Sequence, residues 1–209
     1  MEKKLSLLPT ANSNMPLSDE DKLEVIENAT KAYEAYLDAL RIDWRNDPNS
    51  SDTPRRVAKA FVNDLAQGCY NEAPRITAFP SDGYDGMVFQ GGIPIKSMCS
   101  HHHLSFTGVA HVAYIPSITG KVVGLSKLNR IVEHFASRPQ IQEGLTVQIQ
   151  HAIEAMCEGN KGVAVEISAS HTCACLRGVK HDGCEMKTAR LSGDFLNDPA
   201  TRNEFYQFV

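Results

Sequence analysis

Two stretches of this 209-residue chain carry thiols and imidazoles at a spacing that suits a metal ion: Cys99-Ser100-His101-His102-His103 and the later His171-Thr172-Cys173-Ala174-Cys175. Zinc favours sulfur and nitrogen donors in a tetrahedron, and a catalytic zinc keeps three protein ligands so that water can take the fourth position. Cys99 and His102, with two residues between them, together with the distant Cys173, supply that count. The same residues permit a closed alternative. If the chain stays extended beyond His171, Cys173 and Cys175 face one side with Ala174 opposite, and Cys175 completes a structural site. The open site is favoured, because a structural knuckle has no use for two further histidines whereas proton transfer does. His101 and His171 are those histidines, and on extended backbone His171 projects to the same side as Cys173.

A second group of residues suits an anion. Gly124-Leu125-Ser126-Lys127-Leu128-Asn129-Arg130 sets Ser126 at a helix start with Lys127 and Arg130 one turn apart. Free amides at a helix N-terminus and two cations on one side suit a phosphate, although a solvated surface and a simple cap explain the same residues. Arg56 and Arg177 could add charge, and nothing in their local sequence separates them from surface arginines. In Pro139-Gln140-Ile141-Gln142-Glu143 a carboxylate falls in the first turn of the next helix. Favourable dipole placement accounts for such a glutamate, but two acceptors side by side also match the ring N–H and exocyclic amino group of guanine, with Gln142 free to meet the neighbouring carbonyl.

The elements that must position these groups follow from periodicity and turn residues. Residues 1–17 lack a period and read as a flexible arm, and residues 18–68 read as a helical extension. Within it, Leu23, Ile26, Ala29, Tyr33, Leu37 and Leu40 recur at helical spacing, and Thr53-Pro54 opens a second helix that Gly68 closes. Residues 69–209 form the catalytic domain. Strands are predicted at Met87–Ile95, Phe106–Ile115, Gly162–Ser170 and Met186–Leu191, two helices at Ser126–Ser137 and Pro139–Glu158, the latter opened by its proline, and a short helix from Asp198-Pro199. Strands, two helices, then strands make an α+β fold, an antiparallel sheet with two helices on one face.

The net charge of −4 at pH 7 and the lack of a basic stripe argue against bulk attraction to nucleic acid or an anionic membrane. Neither a signal-peptide pattern nor a bilayer-length apolar run is present, so a cytoplasmic protein is expected. Six scattered cysteines in a reducing compartment point to a metal or buried thiols and not to a disulfide frame.

From residue 53 onward the chain resembles GTP cyclohydrolase I, the zinc enzymes that open the guanine ring of GTP. The resemblance is carried by Thr53-Pro-Arg-Arg56-Val-Ala-Lys59, Ser97-Met-Cys99 with His101-His102, Ala113-Tyr-Ile-Pro116, Gly124-Leu-Ser-Lys-Leu-Asn-Arg-Ile-Val132, Arg138-Pro-Gln-Ile-Gln-Glu143, Leu145-Thr146 and His171-Thr-Cys173 with Arg177-Gly178, all in the family's order. It implies Cys99, His102 and Cys173 as zinc ligands, His101 and His171 as catalytic histidines, and Gln142 and Glu143 as the guanine-recognition pair. It further implies that Ser126, Lys127, Arg130, Arg177 and Arg56 hold the triphosphate and ribose, Arg56 reaching in from a neighbouring subunit. The implied products are 7,8-dihydroneopterin triphosphate and formate, the implied architecture the tunnelling fold, and the implied assembly a homo-oligomer, a decamer of two pentamers.

The chain departs from the family's pattern at Ser100, where Glu is usual, at Gly144, where Arg is usual, at the extra His103 and Cys175, and at Cys184-Glu-Met-Lys-Thr-Ala-Arg190, which replaces a Ser/Thr-rich run. Two rival functions share the expected fold: a zinc-stapled guanine-nucleotide-binding or scaffold protein without turnover, and a deazaguanine nitrile reductase. The reductase uses a Cys nucleophile and no zinc, so the paired histidines and Cys173 argue against it.

Overall fold

Ser18 accepts a hydrogen bond from the amide of Asp21 at 3.1 Å and so caps helix α1, Asp19–Ala39. Asp19, Glu20 and Asp21 fill its first turn, where carboxylates meet unpaired amides and the positive end of the helix dipole. The structure, a computed structural model, describes residues 5–209; residues 1–4, part of the segment expected to be a flexible arm, lie outside it. The chain divides into two units, the first ending at Glu72 and the second Ala73–Val209, where the sequence reading puts the division after residue 68.

In the first unit, α1 is followed by α2, Thr53–Ala60, a wider π-type turn over Phe61–Leu65, and the short α3, Gln67–Tyr70. Ile26, Ala58 and Val62 form its small core. Thr53 is not the cap of α2: Asp52 precedes the helix, and its carboxylate is taken by Arg55 (2.7 Å) and Arg56 (3.1 Å) in place of a backbone amide. Nor does Gly68 close a helix. Its carbonyl and that of Asn71 each accept from the side chain of Asn14 at 2.8 Å, while the amides of Met15 and Leu17 donate to Cys69 and Tyr70.

The second unit carries β1 (Ala78–Pro80), β2 (Val88–Cys99), β3 (Ser105–Ile115), β4 (Lys121–Val123), α4 (Leu125–Ala136), β5 (Pro139–Gln140), α5 (Gln142–Met156), β6 (Gly162–His171), α6 (Thr172–Cys175), β7 (Glu185–Leu191), α7 (Gly193–Asn197) and α8 (Pro199–Phe208). Five strands form one sheet in the order β5-β2-β3-β6-β7, antiparallel except for the β5–β2 pair, and β1 pairs with β4 separately. The fold is α+β. Ile131 and Val132 of α4 and Leu145, Ile149 and Ile153 of α5 share one core with Phe106, Ala110, Val112 and Tyr114 of β3 and Val163, Val165 and Ile167 of β6.

Two expectations need correction here. Helices do not lie on one face only: Phe195 of α7 and Phe205 of α8 pack on Ala113, Ile115 and Ala164, which alternation sends to the opposite face. Double coverage at this end explains why the apolar pattern of β3 and β6 does not alternate cleanly. And Pro139 does not open α5. Pro139 and Gln140 run beside the end of β2, pairing Met98 with Pro139 and Cys99 with Gln140, and extended Ile141 then leads into the helix. Among the described residues no helix is long and apolar enough to cross a membrane.

The end of α4 holds a polar pair, half-buried His134 and buried Arg138. Arg138 donates to Nε2 of His134 and lies over the ring of Phe135 at 4.7 Å. Burial, aided by that guanidinium, pushes the His134 imidazole down to about 4. Below its ordinary value of 6.5 the unfolded chain therefore binds a proton that the folded chain refuses. This contribution to stability is complete above that value and is lost as pH falls towards 4. His134→Gln, which can still accept from Arg138 but does not titrate, should flatten the fall of the melting temperature across this window, and an unchanged slope would show that His134 is not its source.

Candidate active site

The two metal-ligand stretches end neighbouring strands of one sheet, and this is what unites them. At the β2–β3 connection the amide of Cys99 donates to Leu104 O at 2.8 Å, while Cys99 O accepts from the amides of His103 (2.8 Å) and His102 (3.4 Å). His103, at φ 53°, takes the left-handed conformation that closes so tight a turn. Cys99 and His102 thus stand across a single turn. On the other side, β6 pairs with β3 so that His171 lies opposite Phe106, their rings stacked at 4.4 Å and 8°. The chain then coils into α6, pinned by a 2.6 Å bond from the Thr172 hydroxyl to Ser105 O. Coiling brings the Cys173 thiol to Cys99 and His102, and the three ligand atoms all lie within 4.8 Å of one another.

Extended alternation beyond His171, which would have joined Cys175 to Cys173, is thereby overturned. Two residues of helix turn a side chain by about 200°, and the Cys175 thiol lies instead 3.6 Å from the Ser170 hydroxyl. Cys175→Ala should leave metal content unchanged; loss of metal from that variant would restore the closed, four-ligand arrangement.

Two sulfurs and one imidazole nitrogen are the donor set that zinc prefers, and three such ligands would leave a further position open on a bound zinc. Burial and the adjacent Cys99 raise the Cys173 thiol above its usual value, while Arg177 opposes that shift. Two close thiols resist ionising together unless a cation sits between them, which a dication would supply. Nη1 of Arg177 lies 2.8 Å from Nε2 of His102, and since a guanidinium only donates, that nitrogen accepts. His101 is exposed, its ring edge-on to His102 at 6.2 Å.

His171 is held more firmly. Its Nε2 lies 2.8 Å from Oε1 of Gln142, and burial pushes its pKa below the ordinary histidine value, opposed by the negative charge of Glu143. Glu143 is exposed in the first turn of α5. The side chain of Gln142 is turned inward: it is buried, and its amide nitrogen donates to Ile167 O (3.1 Å), Met186 O (2.8 Å) and Thr188 Oγ1 (3.2 Å).

Of the anion-binding candidates, Arg177 alone touches this cluster, through His102. Ser126, Lys127 and Arg130 occupy the first turns of α4 behind Gly124, the true cap residue, with Ser126 and Arg130 exposed. Among the described residues no hydrogen bond or ion pair joins them to the metal ligands. Arg56 belongs to the first unit, paired with Asp52 and largely exposed. Phe106, Thr146 and Thr188, which hold His171 and Gln142, were not legible as site residues. Phe106 shows itself only through the register of β3 against β6, and the threonines only through the packing of α5 on β7.

Residues 29–209 match the family model described as GTP cyclohydrolase I. The chain is 48% identical over 169 residues to GTP cyclohydrolase 1 of Pseudoalteromonas translucida (78% of this chain, 89% of the relative). It is 46% identical over 181 residues to GTP cyclohydrolase 1 of Alkalilimnicola ehrlichii (84% and 95%). A solved structure of an archaeosine synthase QueF-Like in the apo form aligns with a TM-score of 0.42 at 19% identity, covering 51% of this chain and 93% of that one, too distant to carry an argument. With a match spanning both units and every candidate metal ligand, this chain belongs to the GTP cyclohydrolase I family.

Proposed function

We propose that this protein is a zinc-dependent GTP cyclohydrolase I, converting GTP and water to 7,8-dihydroneopterin triphosphate and formate in the cytoplasm. The observation that carries this reading is the approach of the Cys99, His102 and Cys173 ligand atoms to within 4.8 Å in a chain that matches the family from residue 29 to its end.

Cys99, His102 and Cys173 would hold the zinc, which when bound supplies Lewis acidity and makes water a usable nucleophile near neutral pH. The protein's own groups do the rest. Carbon 8 of a purine accepts a nucleophile once nitrogen 7 is protonated, and His171 and His101 are imidazoles able to bring that proton and to move others during ring opening and loss of formate. Glu143, exposed beside His171, would accept from the ring N–H and amino group of guanine and so orient carbon 8. Ser126, Lys127, Arg130 and Arg177 would hold the triphosphate and ribose. Arg56 would join them from a neighbouring subunit.

That role for Arg56 requires an assembly, and we assign the tunnelling fold and a decamer of two pentamers. Support comes from the family resemblance, which implies that assembly, in a chain whose residues 29–209 match the family model.

Incubation with GTP, followed by assay of formate, of fluorescent pterin after oxidation and of zinc in the same sample, tests the reading. Zinc and tight GTP binding without formate would leave a scaffold protein, and turnover without bound metal would remove the metal from the mechanism.

A further inference from the structure

We infer that Gln142 is a positioning residue that fixes which nitrogen of His171 carries a proton, in place of meeting the guanine edge with its own side chain. This rests on His171 being a proton-transfer group in the proposed reaction. Gln142 is only 1% exposed. Its amide nitrogen is within reach of Ile167 O, Met186 O and Thr188 Oγ1 at 3.1, 2.8 and 3.2 Å. Two of these are backbone carbonyls, which only accept, so the NH2 end of the side chain must face them. Oε1 is then an acceptor turned to Nε2 of His171 at 2.8 Å, and Nε2 must carry the hydrogen. Nδ1 is left as the ring nitrogen that can take up or release a proton while this bond stands.

The surrounding hydroxyls reinforce the direction. Thr146 Oγ1 donates to Gln142 O at 2.8 Å, which commits its one proton, so the 2.7 Å contact with Thr188 runs from the Thr188 hydroxyl to Thr146. Thr188 has thereby spent its proton as well, and it offers Gln142 Nε2 only lone pairs. Each of these side chains has one workable orientation, and the stacked Phe106 ring opposes rotation of the imidazole. Three strands and α5 contribute to the clamp. With its NH2 committed to the interior, the side chain of Gln142 has no donor left for a guanine carbonyl.

Kinetics and spectroscopy on the full zinc-loaded protein separate the two roles. The probes are GTP for turnover and 7-deaza-GTP for binding, since replacing nitrogen 7 by carbon removes the atom to be protonated. Gln142→Met should lower kcat by roughly 10- to 100-fold, a partial loss of what a positioned acid or base supplies. KM for GTP and affinity for 7-deaza-GTP should stay within about twofold, as expected when only the chemical step is affected. Thr188→Val should show the same split at roughly 3- to 10-fold. Solid-state 15N spectra of histidine-labelled protein, with His171→Ala to assign the signal, should show Nε2 protonated and Nδ1 bare in the wild type. Both tautomers should appear in Gln142→Met.

Weakened 7-deaza-GTP binding at unchanged kcat would make Gln142 a guanine contact, and a protonated Nδ1 in neutral wild-type His171 would overturn the clamp outright. If Gln142→Met does not assemble, the wild-type spectrum and Thr188→Val decide. Full turnover by His171→Ala, with the Nε2–H tautomer still observed in the wild type, would remove His171 from the reaction while leaving the clamp in place.

Discussion

His171→Ala and His101→Ala should each retain zinc and the assembled state while losing pterin formation by roughly two to four orders of magnitude, the usual worth of a positioned acid or base. The expectation for His171 is geometric. It ends β6 beside the metal ligands without being one of them, and it is held by Gln142 and Phe106 in a site whose burial keeps it neutral more readily than a free imidazole. His101 has the weaker hold, being exposed and edge-on to His102, so its loss should fall towards the lower end of that range. His103→Ala should be far milder for the chemistry, because His103 serves the turn through its left-handed backbone. Zinc stoichiometry and single-turnover pterin formation on the three variants check this. A zinc-free His101→Ala protein alongside a zinc-replete His102→Ala protein would mean that ligand and catalyst have been exchanged.

Glu143→Gln should reduce kcat/KM for GTP by roughly two orders of magnitude or more, since a hydrogen bond to a charged group is worth about 1.5–3 kcal/mol and the substitution also sets an amide donor against a guanine donor. The change should leave stability nearly untouched, because Glu143 is exposed. ATP, with its amino group where guanine has a carbonyl, should be a poor substrate for the wild type. Comparable turnover of ATP and GTP, or a Glu143→Gln protein with unaltered kcat/KM, would sink this assignment.

How far the sequence could be read depended on whether a residue's partner was local. The helical periods of α4 and α5 bury Leu128, Ile131, Val132, Leu145, Ile149 and Ile153 as expected, since a 3.6-residue repeat needs no knowledge of what covers it. Cys99 and His102 were legible for a similar reason, one turn being enough to join them. Cys173 joined them through its spacing from His171, although the geometry assumed there was wrong: the strand ends at His171 and α6 begins, a break that no Gly or Pro announces in Thr172-Cys173-Ala174-Cys175. Pro139 misled because a proline before a helical pattern commonly opens it, whereas here it extends the sheet edge beside β2. The inward-facing side chain of Gln142 was the least legible feature. Its neighbours in space come from β6 and β7, and only the packing of α5 across those strands reveals that its side chain faces inward while Glu143 faces out.

The two-residue strand β5 has a consequence for how the site breathes. Its pairing with the end of β2 makes Gln140 O the acceptor for the amide of Ser100, at 2.9 Å, while the amide of Cys99 is closed against Leu104 O. Backbone deuterium uptake at residues 99 and 100 should therefore be slow even though the three histidines that follow face solvent. Because Gln140 is followed within three residues by Glu143, slow opening at this seam would release the metal-bearing turn and the nucleotide-facing start of α5 together, so the two halves of the site should gain and lose deuterium as one cooperative unit.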